Sequence, residues 1–67
     1  MEPAIIPERS ASEMISLLVG QVILELHKQG KAIQQPAIVN ALRRWQETEK
    51  DETQRFYLTL AVGLLSL

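Results

Sequence analysis

The first stretch of the chain with a regular hydrophobic pattern lies between residues 10 and 29. Ser10 and Glu13 have the spacing of a capping box, in which a hydroxyl and a carboxylate accept unpaired backbone N–H groups. Gly30 is typical of the left-handed position that ends a helix. The pattern therefore predicts a first helix from Ser10 to about Gln29. Its apolar stripe consists of Ile15, Leu18, Val19, Val22, Ile23 and Leu26.

A polar link over residues 31–35, which Ile33 is expected to anchor in the core, leads to a second helix. Pro36 fits the first turn of that helix, where its missing N–H costs nothing. Apolar residues follow at helical spacing, at Ile38, Leu42 and Trp45. The opposite side is polar, so we expect a peripheral helix with one solvent-exposed face. That face carries Asn40, Arg43, Arg44 and Glu47.

A charged segment over residues 47–52 precedes the third apolar stretch. Asp51 and Gln54 again have capping-box spacing, so we expect a break and a third helix starting there. One long helix over residues 36–66 is the alternative that the pattern leaves open. From Phe56 onward almost every position is apolar, apart from a narrow polar strip.

The apolar surface predicted for this chain exceeds what three short helices can cover. A helix that is apolar on nearly all sides must be buried on most of them, and domains of about 60 residues bury only ~60% of their chain surface. A glycine in a helix interior indicates the close approach of another backbone. We therefore predict an all-α, three-helix subunit (helix–loop–helix–helix) that forms an intertwined or packed homodimer. The predicted interface consists of Leu17, Leu24, Phe56, Leu60, Gly63, Leu64 and Leu67.

Length and composition agree with a single domain over residues 10–67, preceded by a flexible arm over residues 1–9 that contains Pro3 and Pro7. The chain has 67 residues, no cysteine and a net charge of −1, so disulfides and a general attraction to nucleic acid are not expected. Its longest apolar stretch is well short of the ~20 residues of a membrane span. We expect a cytoplasmic protein without a membrane segment.

Residues able to perform catalysis are sparse. His27 is the only histidine, and a surface histidine near a helix end explains it. The acidic residues over positions 47–52 are explained by solvation and helix capping rather than by paired-carboxylate chemistry. The three glycines are too far apart for a phosphate loop. The sequence predicts no enzyme activity, no metal site and no cofactor.

The polar face of the second helix is the predicted partner-binding face. Asn40 and Arg43 are residue types that can read bases, and Arg44 can contact phosphate. The near-neutral charge and the adjacent acidic segment argue against nucleic acid. The pattern leaves two other interpretations, a solvated helix face and contact with another protein, made by Asn40, Arg43, Arg44 and Glu47.

Two stretches of the chain resemble a family of small enterobacterial proteins. Leu18-Val19-Gly20-Gln21-Val22-Ile23-Leu24-Glu25-Leu26, followed by Gly30, Ile33, Ile38 and Leu42, resembles the core signature of the AriR/YmgB and YcgZ family. The end of the chain, with Glu52 to Gln54, Tyr57 and Gly63-Leu64-Leu65, is similar to the YcgZ branch. The resemblance implies a homodimeric connector protein of two-component signalling, notably the Rcs phosphorelay, with effects on biofilm and acid resistance. It also implies likeness to Hha, a nucleoid-associated regulator, and DNA binding.

The first half is also similar to fumarase D, a small protein that shares the pattern Val-Gly-x-Val-x-Leu-Glu, then Gly30 and Leu42-Arg43. We expect a non-enzymatic regulator that binds itself and a regulatory protein, such as a phosphorelay component, in biofilm and stress control. The alternatives are a Hha-like modulator that binds nucleic acid and, third, a fumarase D-like enzyme.

Overall fold

The computed structural model describes residues 10–67, which form three helices and no β-strand. They are α1 (Ala11–Lys28), α2 (Gln35–Thr48) and α3 (Glu52–Leu65). The predicted all-α, three-helix fold is thus confirmed for this part of the chain. The predicted N-terminal arm, residues 1–9, lies outside the described residues.

The ends of α1 are set by the two signals read from the sequence. The Ser10 hydroxyl accepts the N–H of Glu13 at 3.1 Å, and the Glu13 carboxylate accepts the N–H of Ser10 at 3.3 Å. At the other end Gly30 has φ of 71°, a left-handed value that a side chain would strain. The N–H groups of Gly30 and Lys31 donate to the carbonyls of His27 and Leu26, which completes a Schellman motif.

The link into α2 runs over the surface. Residues 29–36 are all exposed, and Ile33 keeps 46% of its area accessible. The predicted anchoring of Ile33 in the core is therefore wrong, because the whole link that follows the Schellman turn lies on the surface. Pro36 lies in the first turn of α2, as predicted.

The chain breaks between α2 and α3, so the single long helix is excluded. Glu49 and Asp51 have extended backbone, with ψ of 129° and 123°. The Asp51 carboxylate caps α3 by accepting the N–H of Gln54 at 2.9 Å. Glu49 adds a second constraint, because one of its oxygens accepts the Trp45 indole N–H at 2.8 Å and the other the N–H of Asp51 at 3.2 Å.

Each helix contacts the other two around one small core. The side chain of Gln35 donates to the Leu65 carbonyl, and that of Gln46 donates to the Thr59 hydroxyl, so α2 and α3 run antiparallel. Ile38 and Trp45 of the predicted α2 stripe are half-buried, whereas Val39, which the stripe omitted, is buried. The core consists of Leu18, Val22, Leu26, Leu42, Leu58 and Ala61.

Candidate interaction surface

Most of the large exposed hydrophobic side chains lie on α1 and α3 and just after α3. Five of the six in residues 10–67 belong to the predicted dimer interface, and Ile33 is the sixth. We call these five, together with Leu60 and Gly63, the outer apolar face. Its exposed large side chains are Leu17, Leu24, Phe56, Leu64 and Leu67.

On α1, the outer apolar face is directly opposite the core. The buried residues Leu18, Val22 and Leu26 share one side of this helix. At 100° per residue, Leu17 and Leu24 point the other way, and Leu24 is 62% exposed. The structure thus places both side chains where the chain's own core cannot bury them.

On α3, apolar side chains occupy both the inner and the outer side. Leu58 and Ala61 are buried against the core, whereas Phe56 and Leu64 are more than half exposed. Leu60 is half-buried between these two sides. The Phe56 ring packs edge-on against that of Tyr57, with centroids 5.4 Å apart. Phe56 is therefore held in place although most of its surface is open.

The sides of α1 and α3 that meet each other differ in character from the sides that meet α2. On α1, the cleft beside α2 is lined by Gln21 and Glu25, so the half-buried Ile23 lies on the α3 side. On α3, Thr59 accepts a bond from α2, which puts Leu60 and Leu64 on the α1 side by the same helical geometry. The α1–α3 junction is consequently bordered by apolar side chains, whereas the two junctions with α2 carry polar ones.

Gly63 of the outer apolar face and Gly20 of α1 are two glycines inside helices. A Cβ added at either position would meet nothing within 4 Å, so in this chain the space beside both backbones is open. The predicted close approach of another backbone to Gly63 does not come from α1 or α2. It stays a prediction about a partner chain.

The predicted partner-binding face of α2 is exposed, and its edges border two different helices. Asn40, Arg43, Arg44 and Glu47 are all exposed. Arg43 and Asn40 line a shallow depression with Ser66 at the end of α3, however, whereas Arg44 lines the cleft against α1. Arg43 therefore borders the end of α3, whereas Arg44 borders α1.

Groups able to support catalysis or bind a metal are few in the described residues. Residues 10–67 contain no group of three or more His, Asp and Glu side chains that could hold a metal ion. His27 is exposed in the last turn of α1. None of the helices in this range is long and apolar enough to cross a bilayer.

Comparisons with protein-family models, with curated proteins and with solved structures found no match for this chain. The resemblance to the AriR/YmgB and YcgZ family, and the similarity to fumarase D, accordingly stay predictions from the sequence.

Proposed function

We propose that this chain is a non-enzymatic regulatory protein that acts as a homodimeric protein-interaction module. The observation that carries the proposal is the outer apolar face, where Leu24 is 62% and Leu64 is 56% exposed. Monomeric proteins rarely leave contiguous apolar patches larger than a few hundred Å² open to water. Large apolar side chains exposed on two packed helices therefore indicate a surface that contacts another protein.

A second copy of the same chain is the occupant that best fits this face. The face is apolar on both helices, so it is complementary to itself under a two-fold axis, the commonest symmetry of oligomers. A subunit of 67 residues also has a small core, and cores of this size rarely supply more than roughly 3–5 kcal/mol. Burying Leu24, Phe56 and Leu64 between two subunits would add to that stability.

The regulatory part of the proposal rests on the surface that such a dimer leaves free. The partner-binding face of α2 points away from the α1–α3 junction, so a two-fold dimer would display two copies of it. From the sequence resemblance, we propose that the dimer serves two-component signalling in biofilm and acid-stress regulation, with a phosphorelay protein as partner.

Light scattering over a dilution series tests the dimer directly. We expect the wild-type chain to have a mass near twice 7.6 kDa down to micromolar concentration. Leu64→Glu should shift the mass to that of one chain, because a dimer would bury an unpaired carboxylate. The variant should keep its helical circular dichroism, since position 64 is exposed in the single subunit.

Asn40→Glu is the matched control. It adds the same single negative charge on the exposed side of α2 and should leave the mass at two chains. A wild-type chain that is monomeric at micromolar concentration would contradict the dimer. A Leu64→Glu chain that stays dimeric would contradict the choice of face.

A second candidate function, modulation of transcription through nucleic acid, is favoured by the exposure of Asn40, Arg43 and Arg44 on α2. Phosphate contacts make affinity fall steeply with salt concentration. We expect binding to duplex DNA with a steep salt slope, reduced in Arg43→Ala and Arg44→Ala, if this candidate is correct. Binding restricted to very low salt, without sequence preference, would count against it.

A further inference from the structure

The cleft between α1 and α2 differs from the outer apolar face because its floor is apolar and its rim is charged. We name it the α1–α2 groove, and its volume is about 340 Å³. That is near the lower end of ligand pockets in general, which suits one or two side chains better than a large ligand. Its lining residues are Gln21, Val22, Glu25, Leu26, Gln29, Ala41, Arg44 and Trp45.

The floor and one wall of the groove are built from fixed side chains. Val22 and Leu26 belong to the core and are 5% and 3% exposed. Ala41 is too small to fill the space above them. Trp45 is half-buried, and Glu49 holds its indole N–H at 2.8 Å, so the ring keeps its orientation. An apolar side chain entering the groove would meet a preformed apolar surface.

The two walls carry opposite charges. Glu25 stands on the α1 side, where the Gln29 side chain donates to its carboxylate at 3.3 Å, and Arg44 stands on the α2 side. A ligand that complements both walls needs a positive group beside α1 and a negative group beside α2. Charge complementarity of this kind sets specificity more than affinity.

We propose that the α1–α2 groove is the site at which the module recognises its protein partner, and that the occupant is an amphipathic helix of that partner. The helix inserts an apolar anchor residue over Val22 and Leu26, with a basic residue on one flank and an acidic residue on the other. Helix-in-groove recognition uses this arrangement of anchors. The inference rests on the proposed interaction function and moves the centre of the partner site from the outer side of α2 to its junction with α1.

Three synthetic helical peptides of equal length and with the same leucine anchors test the proposal. One has a lysine flank and a glutamate flank, one has two lysine flanks, and one has two glutamate flanks. Trp45 is the only tryptophan, so its indole N–H resonance and its fluorescence report on the groove alone. We expect the mixed peptide to bind about fivefold more tightly than the others. In each of the other two peptides, one flank meets a groove residue of the same charge, Glu25 or Arg44, instead of one of opposite charge. That replacement changes the binding free energy by about 1 kcal/mol.

Charge reversal in the groove should change the order of the peptides. Glu25→Lys should make the two-glutamate peptide the tightest ligand, and Arg44→Glu should do the same for the two-lysine peptide. Arg55→Glu is the matched control, because Arg55 is exposed on α3 and does not line the groove, and the mixed peptide should stay tightest. Ala41→Leu should weaken binding of all three peptides by filling the groove.

Several outcomes would overturn the proposal. The first is that none of the peptides changes the Trp45 signal. The second is that the peptides keep the same order of affinity in both Glu25→Lys and Arg44→Glu. The third is that Ala41→Leu binds the peptides as tightly as the wild-type chain does. A Trp45 signal that changes only with dilution would assign the groove to a second copy and overturn the proposal as well. Because the groove lies within one chain, it can be tested in Leu64→Glu too. Failure of the dimer and failure of the groove are thus separate results.

Discussion

α2 and α3 have the same length, 14 residues each, and pack on the same core, yet their outer sides are opposite in character. α2 buries Val39 and Leu42 and turns Asn40 and Glu47 to water. α3 buries Leu58 and Ala61 but turns Phe56 and Leu64 to water. One apolar side is enough to attach a helix to this core. The second apolar side of α3 therefore calls for a different explanation, for which we propose contact with another chain.

The largest expected effect separates the inner from the outer side of α3. Leu58→Ala should lower the free energy of unfolding by about 2–5 kcal/mol, because Leu58 is fully buried and its loss leaves a cavity. A small core cannot absorb such a loss, so we expect most of the variant to be unfolded at room temperature, as measured by urea titration.

Leu64→Ala is the partner variant for this comparison. Position 64 is exposed in the subunit, so its effect should grow as the protein becomes more concentrated, which is the signature of a lost association. A Leu64→Ala loss of stability that is the same at all concentrations would instead make Leu64 part of the subunit core.

The next effect compares two glycines of the same chain. Gly30→Ala should destabilise the fold by about 1–2 kcal/mol, because Gly30 has positive φ in the Schellman turn. Gly20→Ala should stabilise the subunit by about 0.5–1 kcal/mol, because Gly20 lies inside α1 and an added Cβ meets open space. Thermal unfolding of a dilute sample measures both. Equal changes of the same sign would contradict this explanation.

A third prediction concerns the joint that separates α2 from α3. Asp51→Ala should cost about 1 kcal/mol, because the N–H of Gln54 loses its acceptor at the start of α3. Asp51→Ser keeps a capping oxygen and should restore most of that stability in urea titration. If serine were no better than alanine, the cap would not be what Asp51 contributes.

The smallest expected effect lies on the outer side of α2. Arg43→Ala should change the free energy of unfolding by less than about 0.5 kcal/mol, as exposed substitutions usually do, and should leave the dimer mass unaltered. A larger effect in either measurement would mean that the contrast between α2 and α3 is overstated.

The helices and their ends could be predicted because local signals define them. The Ser10 capping box, Gly30 and the Asp51 cap each act within a few residues, and the structure confirms all three. Ile33 was assigned wrongly because an apolar residue in a link is not fixed by periodicity. Its place depends on how the whole link lies against the helices, and the link lies on the surface.

The surfaces were harder to predict than the helices. The sequence of α3 is apolar on nearly all sides of the helix. This pattern predicts two apolar sides, but it does not show which of them is buried within the subunit. The α1–α2 groove depends on the rotation of two helices about their own axes, which brings Glu25 and Arg44 to opposite walls. Spacing along one helix contains no information about the other, so this site was missed.

The short joint between α2 and α3 also bears on how the chain folds. Three residues separate the helices, so closing this hairpin costs little chain entropy. Helical proteins dominated by such local contacts fold within microseconds to milliseconds. We expect the α2–α3 hairpin to form early and α1 to dock onto it. The dimer that we propose would then form in a slower, bimolecular step whose rate depends on protein concentration. The fraction of paired subunits would therefore depend on how much of the protein the cell makes.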